Sequence, residues 1–133
     1  MTLEQGDKKS LSDFRISKSR EFLNDASANF TDERYKTAIN RSYYAALNAL
    51  RAILILEGAN PTSHEGVITM FSLRFIRPGI LPVDIIKSFK ILLSRRTDVD
   101  YGDFDMVTRD DAEDSLRRAE EIVFAVDQSR KTL

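Results

Sequence analysis

The segment Arg96–Tyr101 holds the residues of this chain best suited to chemistry, because an arginine is followed within five positions by two acids and a phenol. Charge reverses across it: residues 74 to 96 carry six bases and one acid, whereas residues 98 to 114 carry eight acids and one base. Two interpretations stay open. The two runs are either solvated faces that neutralise each other, or the basic run is a lip that binds phosphates.

Arg96 continues a predicted apolar face of a helix. In steps of three and four, the preceding members of that face are Ile85, Phe89 and Leu92. A guanidinium in this position must meet an acid, a cleft or another subunit, because burying an unpaired charge is costly. We therefore predict a catalytic or binding site formed by Arg96, Asp100 and Tyr101. A structural ion pair has equal weight, with Asp100, Asp13 or Asp25 as the partner.

A second polar group is predicted on the preceding long helix, where Arg41 and Tyr44 stand three residues apart and so share a face. Arg41 is placed to pair with Asp100 across the bundle. Tyr43 points elsewhere, and both tyrosines are expected to be core or interface aromatics whose hydroxyls find partners. Arg41 and Tyr44 are therefore predicted binding residues.

His64 and Arg95 complete the predicted binding residues. His64 is the only histidine, and it stands where a capping turn meets the start of a helix. A histidine there more often makes a local hydrogen bond than it catalyses, although histidine is the natural general base near neutral pH. Arg95 lies about 100° around the helix from Arg96 and is expected to be solvated.

Composition and spacing exclude several kinds of site. Without cysteine, the chain has neither disulfides nor thiolate metal sites. The acids from Asp98 to Asp105 resemble a calcium loop, but the glycine and glutamate that such a loop needs are not at the required positions. The sequence also lacks a glycine-rich phosphate loop. We predict no metal site and no cofactor.

The spacing of apolar residues predicts an all-α protein, an up-and-down antiparallel bundle of about five helices without a strand. The central helix is expected at about residues 31 to 57, because residues 43 to 56 are apolar almost all round. The other helices are predicted at about residues 10 to 29, 64 to 77, 82 to 97 and from 109 onwards. The predicted caps and stop are Thr31, Ser63, Thr108 and Gly58.

Length and composition predict a single helical domain over residues 1–133 with a polar, frayed N-terminus at residues 1–9. The 42% hydrophobic and 31% charged residues are ordinary for a soluble protein. No stretch approaches the roughly 18 apolar residues needed to span a bilayer, and the N-terminus has no apolar core typical of a signal peptide. We therefore expect a cytoplasmic protein without membrane contact.

Three short motifs stand in order along the chain. They are Arg41-Ser42-Tyr43-Tyr44-Ala45-Ala46, Ser63-His64-Glu65-Gly66-Val67-Ile68 and Arg96-x-x-Val99-Asp100-Tyr101. With these motifs the chain resembles HEPN-domain proteins, and in particular the small prokaryotic single-domain members. The resemblance extends from about Lys18 to Val126.

The resemblance implies a helical bundle that commonly forms a homodimer and is often encoded with a minimal nucleotidyltransferase in toxin–antitoxin pairs. Catalytic members are metal-independent RNases in which an arginine is followed, after a short spacer, by a histidine, and the two motifs of a dimer meet in one cleft. There the arginine stabilises phosphorane-like charge while the histidine moves the 2′-hydroxyl proton. Arg96 matches the arginine, but Asp100 or Tyr101 occupies the histidine's window, and a tyrosine hydroxyl is a poor base at neutral pH.

Three functions follow from this comparison. The favoured one is a HEPN protein with a degenerate RNase motif that binds RNA, a nucleotide or the nucleotidyltransferase through Arg96, Asp100 and Tyr101. The first alternative is an active RNase toxin in which Tyr101, Asp100 or His64 replaces the missing histidine. The second is a non-catalytic structural or interaction bundle whose polar residues only lock the helices together.

Overall fold

Five α-helices are present in this computed structural model, which describes residues 4–102 and 107–133, and no strand occurs within those ranges. The helices are α1 (Gln5–Thr31), α2 (Tyr35–Leu56), α3 (His64–Phe71), α4 (Val83–Tyr101) and α5 (Arg109–Arg130), and α3 continues into a π-helical stretch, Ser72–Ile76. The predicted all-α bundle is therefore confirmed. None of the helices in the described ranges is long and apolar enough to cross a membrane.

The central position belongs to α2, which contacts each of the other four helices. α1 lies antiparallel against it, since the Ser12 hydroxyl donates to the Ala52 carbonyl at 2.6 Å and the Ser19 hydroxyl donates to the Ala45 carbonyl at 2.7 Å. Small side chains on both helices permit this approach, and each buried serine hydroxyl has a partner. The nearly apolar centre predicted for this helix is thus buried from several sides.

One side of α2 stays half-buried and forms a narrow, mostly polar strip. We call it the α2 strip, and it consists of Asn40, Arg41, Tyr44, Leu47, Asn48 and Arg51. Steps of three and four keep these residues on one side of the helix. The strip is the place where polar side chains of the neighbouring helices meet the central helix.

The prediction for the start of the bundle was wrong in two respects. α1 begins at Gln5, so residues 5–9 are helical rather than frayed, and it continues to Thr31, which therefore does not cap α2. The chain then reverses through Glu33, whose φ of 62° lies in the left-handed region. α2 begins only at Tyr35, because this turn separates it from α1.

Three predicted signals are confirmed, and one boundary moves. The Ser63 hydroxyl accepts from a backbone N–H and caps α3, Thr108 forms a capping box at the start of α5, and Gly58 has a φ of 79° just after α2. α4, however, extends one turn beyond the predicted end at residue 97, to Tyr101. Because of that extra turn, the residues that follow Arg96 are helical.

Candidate functional site

Arg96 is enclosed by three tyrosine rings near the C-terminal end of α4. Its guanidinium carbon lies 5.2 Å from the ring centroid of Tyr43, 5.5 Å from that of Tyr44 and 5.9 Å from that of Tyr101. Only 12% of the Arg96 side chain is exposed. The faces of aromatic rings attract a cation, so the arrangement stabilises a charged guanidinium. We call these four residues, together with Asp100, the Arg96 cluster.

Asp100 is the ion-pair partner of Arg96, one turn further along the same helix. Its Oδ2 lies 2.9 Å from Nε of Arg96, whereas Asp13, an alternative partner, contacts Arg130 instead. The ion pair lacks hydrogen-bond alignment, because the buried Nε of Arg96 has no hydrogen-bond partner among the described residues. Nη2 of Arg96 donates to the Tyr44 hydroxyl at 3.3 Å. Arg96 therefore has an ion-pair partner, but one of its N–H donors has no hydrogen-bond acceptor among the described residues.

The electrostatics of the cluster keep Arg96 charged. Burial on its own lowers the pKa of Arg96, but Tyr44, Asp100, Tyr43 and Tyr101 together raise this pKa by more than burial lowers it. Asp100 is about a quarter exposed and also accepts a hydrogen bond from Nδ2 of Asn40 at 3.4 Å. The cluster is thus a permanent cation with one carboxylate on its more exposed side.

Tyr43 links the cluster to His64. The buried Tyr43 ring stacks on Phe89 with centroids 5.5 Å apart, and its hydroxyl is hydrogen-bonded to Nδ1 of His64. Burial raises the pKa of Tyr43, so the hydroxyl keeps its proton. The tautomer of His64 decides which of the two groups donates in this hydrogen bond. Nδ1 of His64 is engaged by Tyr43 in either case, which leaves Nε2 as the ring nitrogen that can meet another group.

Arg41 does not pair with Asp100, contrary to the prediction. Its guanidinium carbon lies 5.6 Å from the centroid of the Phe22 ring of α1. The neighbouring Asn40 takes its place at Asp100, because one residue along α2 changes the direction of a side chain by about 100°. In the described part of the chain, no carboxylate forms an ion pair with Arg41.

Arg95 is not solvated, contrary to the prediction. Its Nη1 donates to Asp114 at 2.7 Å and to the Ser115 hydroxyl at 3.1 Å, both on α5. Asp114 also accepts hydrogen bonds from Arg117 and Arg118. Arg95 therefore belongs to an ion network between α4 and α5, which we call the Asp114 network, and not to the candidate site.

The sequence motifs and the structure agree on which residues lie together. The first motif contributes Tyr43 and Tyr44, the second contributes His64, and the third contributes Arg96, and hydrogen bonds or ring contacts join all four. Asn40 and Phe22 were missed, since nothing in their local spacing marks them as neighbours of the cluster, whereas Phe89 was predicted only as part of the apolar face that Arg96 continues.

Metal ligands do not gather in the described part of the chain, where no group of three His, Cys, Asp or Glu side chains is arranged to hold an ion. Asp103 and Asp105, which belong to the rejected calcium loop, lie outside the described residues. The candidate site is therefore built from guanidinium, phenol, imidazole and carboxylate groups.

Comparison with known proteins identifies the family. A model of the HEPN domain matches residues 12–129. The chain belongs to the HEPN family. It is 29% identical over 111 residues to a Thermotoga maritima protein named "UPF0332 protein", with 84% of each chain covered. It is 31% identical over 119 residues to a Methanocaldococcus jannaschii protein named "Putative toxin MJ0605", with 86% of this chain and 85% of the relative covered.

A solved structure agrees with the fold of this HEPN chain. The crystal structure of TT1696 from Thermus thermophilus superposes with a TM-score of 0.76 at 20% sequence identity, covering 89% of this chain and 97% of the other. Identity at this level bears on the fold alone. Together with the family match, it confirms the resemblance inferred from the three motifs.

Proposed function

We propose that this HEPN protein is a toxin-type, RNA-binding protein whose Arg96 cluster receives an unpaired base without cleaving the strand. The observation that carries the proposal is the position of Tyr101, which is 74% exposed while its ring lies 5.9 Å from the guanidinium carbon of Arg96. Stacking of a base on an aromatic side chain contributes about 1–3 kcal/mol and requires no particular sequence. An exposed ring beside a fixed cation therefore suits a single-stranded nucleic acid.

Arg41 supports the proposal because it offers a charge for the adjoining phosphate. It is half-buried, it stands three residues before Tyr44 on the α2 strip, and no described carboxylate forms an ion pair with it. The Phe22 ring holds its guanidinium in place without neutralising it. A phosphate near the cluster would thus meet an unneutralised cation at Arg41, in addition to Arg96 with its partner Asp100.

The same geometry argues against cleavage. RNA cleavage of the family type requires a group that takes the 2′-hydroxyl proton. A tyrosine hydroxyl such as that of Tyr101 is a poor base, the carboxylate of Asp100 faces Arg96, and Nδ1 of His64 is engaged in a hydrogen bond with Tyr43. Binding without cleavage is therefore better supported than the RNase alternative.

Fluorescence anisotropy with a labelled single-stranded RNA tests the proposal. We expect Tyr101→Leu to weaken binding about ten-fold, because one base loses its stacking partner, and Tyr101→Phe to stay within about two-fold of wild type. Phe124→Leu is the matched control, since it removes an aromatic of similar exposure from α5. Equal affinity of Tyr101→Leu and wild type would contradict the proposal.

A cleavage assay on structured RNA tests the RNase alternative. We expect wild type to leave the RNA intact. Cleavage by wild type that is lost in Arg96→Ala and in His64→Gln would establish the alternative instead. Cleavage that survives Arg96→Ala would remove Arg96 from any catalytic role.

We also propose that the protein acts in the cytoplasm as a homodimer paired with a minimal nucleotidyltransferase. The family resemblance and the word toxin in the name of the M. jannaschii relative support this setting. Sedimentation velocity of the purified chain, and its co-expression with a candidate minimal nucleotidyltransferase, test the two parts separately. A monomer at micromolar concentration would contradict the first part, and failure of the two proteins to co-elute would contradict the second.

A further inference from the structure

A second cluster of cations lies where α1 meets the α2 strip, two turns beyond Tyr44. Nη1 of Arg15, on α1, donates to the backbone carbonyl of Arg51 at 3.1 Å, and Nη2 of Arg15 donates to Oδ1 of Asn60 at 2.9 Å. Nη2 of Arg51 donates to the same Asn60 oxygen at 3.3 Å. Two guanidinium groups therefore converge on one neutral oxygen. We call them the Arg15–Arg51 pair.

No acid neutralises this pair in the described part of the chain. Arg15 is only 9% exposed, and burial, followed by the charge of Arg51, lowers the pKa of Arg15 to about 10. The buried Nε of Arg51 has no hydrogen-bond partner among the described residues. Burying cations without a counter-charge is costly, so an anion between the two groups would stabilise both.

Arg130 is another largely buried arginine of this protein, and unlike the Arg15–Arg51 pair it does contact carboxylates. The side chain of Arg130 is 13% exposed, and it contacts the carboxylates of both Asp13 and Asp127. Its charge is therefore neutralised within the bundle. Arg15 is buried to a comparable degree, and among the described residues the only side-chain acceptor of the Arg15–Arg51 pair is the amide oxygen of Asn60.

The pair lies in line with the Arg96 cluster. Arg51 is seven residues after Tyr44, which places it about 10 Å further along α2 on nearly the same side. Phe22 and Arg15 are likewise seven residues apart on the antiparallel α1, and the Phe22 ring lies 5.8 Å from that of Tyr44. The seam between the two helices thus leads from aromatic rings to unneutralised arginines.

We infer that Arg15 and Arg51 form a second phosphate site, which binds a backbone phosphate of the RNA strand whose base stacks on the Arg96 cluster. The identity of the ligand rests on the proposed function, whereas the need for an anion rests on the pair itself. Arginine binds phosphate through charge-assisted, often bidentate hydrogen bonds. Each phosphate contact also makes binding more sensitive to salt.

Titrations with an RNA dinucleotide and an RNA octanucleotide, at about 50 mM and about 200 mM salt, test the inference. We expect Arg51→Gln to weaken binding of the octanucleotide about five-fold, because one phosphate contact is lost. For the same reason, the slope of the logarithm of the affinity against the logarithm of the salt concentration should become less steep by about one. Binding of the dinucleotide should not change, because its single phosphate adjoins the base that stacks on Tyr101. Arg117→Gln, which removes an exposed arginine from α5, is the control for the loss of one charge.

Thermal unfolding in inorganic phosphate separates this inference from the proposed function. At constant ionic strength, phosphate should raise the melting temperature of wild type and of Tyr101→Leu but not that of Arg51→Gln, since a ligand stabilises only the fold that binds it. Arg51→Gln is preferred over an Arg15 variant because Arg51 is the more exposed of the two and its replacement disturbs folding less.

Three results are decisive. If Arg51→Gln binds the octanucleotide with wild-type affinity and salt slope, the inference fails while the proposed function stands. If phosphate stabilises wild type but no RNA binds, the anion site is retained, whereas its assignment to RNA and the proposed function both fail. If phosphate leaves the melting temperature of wild type unchanged, the pair serves only to satisfy backbone and amide oxygens at the end of α2, and the inference is overturned.

Discussion

Arg95 and Arg96 are adjacent in sequence, yet their surroundings have little in common. Arg95 donates to Asp114, a carboxylate that also accepts from Arg117 and Arg118. Arg96 meets aromatic rings and a single carboxylate, and its Nε has no hydrogen-bond partner among the described residues. The difference arises because the two side chains point about 100° apart on one helix. Arg95 thereby serves the packing of α4 against α5, whereas Arg96 is the one we propose for ligand binding.

The Arg96 cluster and the Asp114 network also differ in how deeply they are buried. The Arg96 cluster stands on the hydrophobic core, because Tyr43 and the Phe89 ring beneath it are fully buried. The Asp114 network lies nearer to solvent, where the side chains of Arg95, Arg117 and Arg118 are 28%, 56% and 26% exposed. We therefore expect the core below the cluster to affect stability more than the charges of the network.

The largest expected effect is that of Phe89→Ala. Removal of this buried ring should lower the free energy of unfolding by about 3–5 kcal/mol, because a cavity opens beneath Tyr43. Urea unfolding followed by circular dichroism measures the change. Phe124→Ala, an exposed position on α5, should cost no more than about 0.5 kcal/mol. A loss below about 1 kcal/mol for Phe89→Ala would show that the cluster does not depend on the core.

The sequence was sufficient to predict the fold, because the information that determines these helices is local. The apolar centre of α2 extends over consecutive turns, and the caps at Ser63 and Thr108 act within three residues. The end of α4 was placed too early, since the acids after Arg96 are typical of a loop. Their helical conformation becomes intelligible only once Asp100 is known to pair back, one turn, to Arg96.

The candidate site could be predicted only in part, for reasons of distance along the chain. The Arg96–Asp100 pair is local and was among the predicted alternatives. The bond from Arg95 to Asp114 joins positions on two helices, and the contact of Arg15 with Arg51 depends on the register of α1 against α2. Neither register nor relative rotation of helices is fixed by apolar spacing alone, so these partners escaped prediction.

An intermediate effect is expected when each region loses its carboxylate. Asp114→Asn should lower the free energy of unfolding by about 1–2 kcal/mol, because three arginines lose their common counter-charge in a partly buried setting. Asp100→Asn removes a single ion pair within one helix, and the charge of Arg96 stays stabilised by the tyrosine rings around it, so the cost should be at most about 1 kcal/mol. Urea unfolding at neutral pH compares the two variants. A larger loss for Asp100→Asn would reverse the division into a structural and a candidate functional region.

The smallest expected effect is the pH dependence of the difference in unfolding free energy between wild type and Asp114→Asn. Burial on its own would raise the pKa of Asp114, but hydrogen bonds from Arg118, Arg95 and Arg117 outweigh burial and hold this pKa well below its usual range. A carboxyl group whose pKa is lower in the folded than in the unfolded state stabilises the fold above its unfolded pKa, which is about 3.9 for aspartate. That stabilisation disappears as the pH falls towards the pKa of the folded state.

The advantage of wild type over Asp114→Asn should therefore be constant between about pH 7 and pH 5 and shrink steadily at lower pH. The pKa of Asp13 is also lowered, chiefly by its hydrogen bond from Arg130, but this residue is present in both proteins and its effect cancels in the difference. Urea unfolding at several pH values measures the trend. A difference that persists unchanged to about pH 2.5 would mean that Asp114 stabilises by shape and hydrogen bonding rather than by charge. In that case, the different roles of Arg95 and Arg96 could no longer be explained by charge, that is, by the carboxylate of Asp114 beside Arg95 and the unpartnered Nε of Arg96.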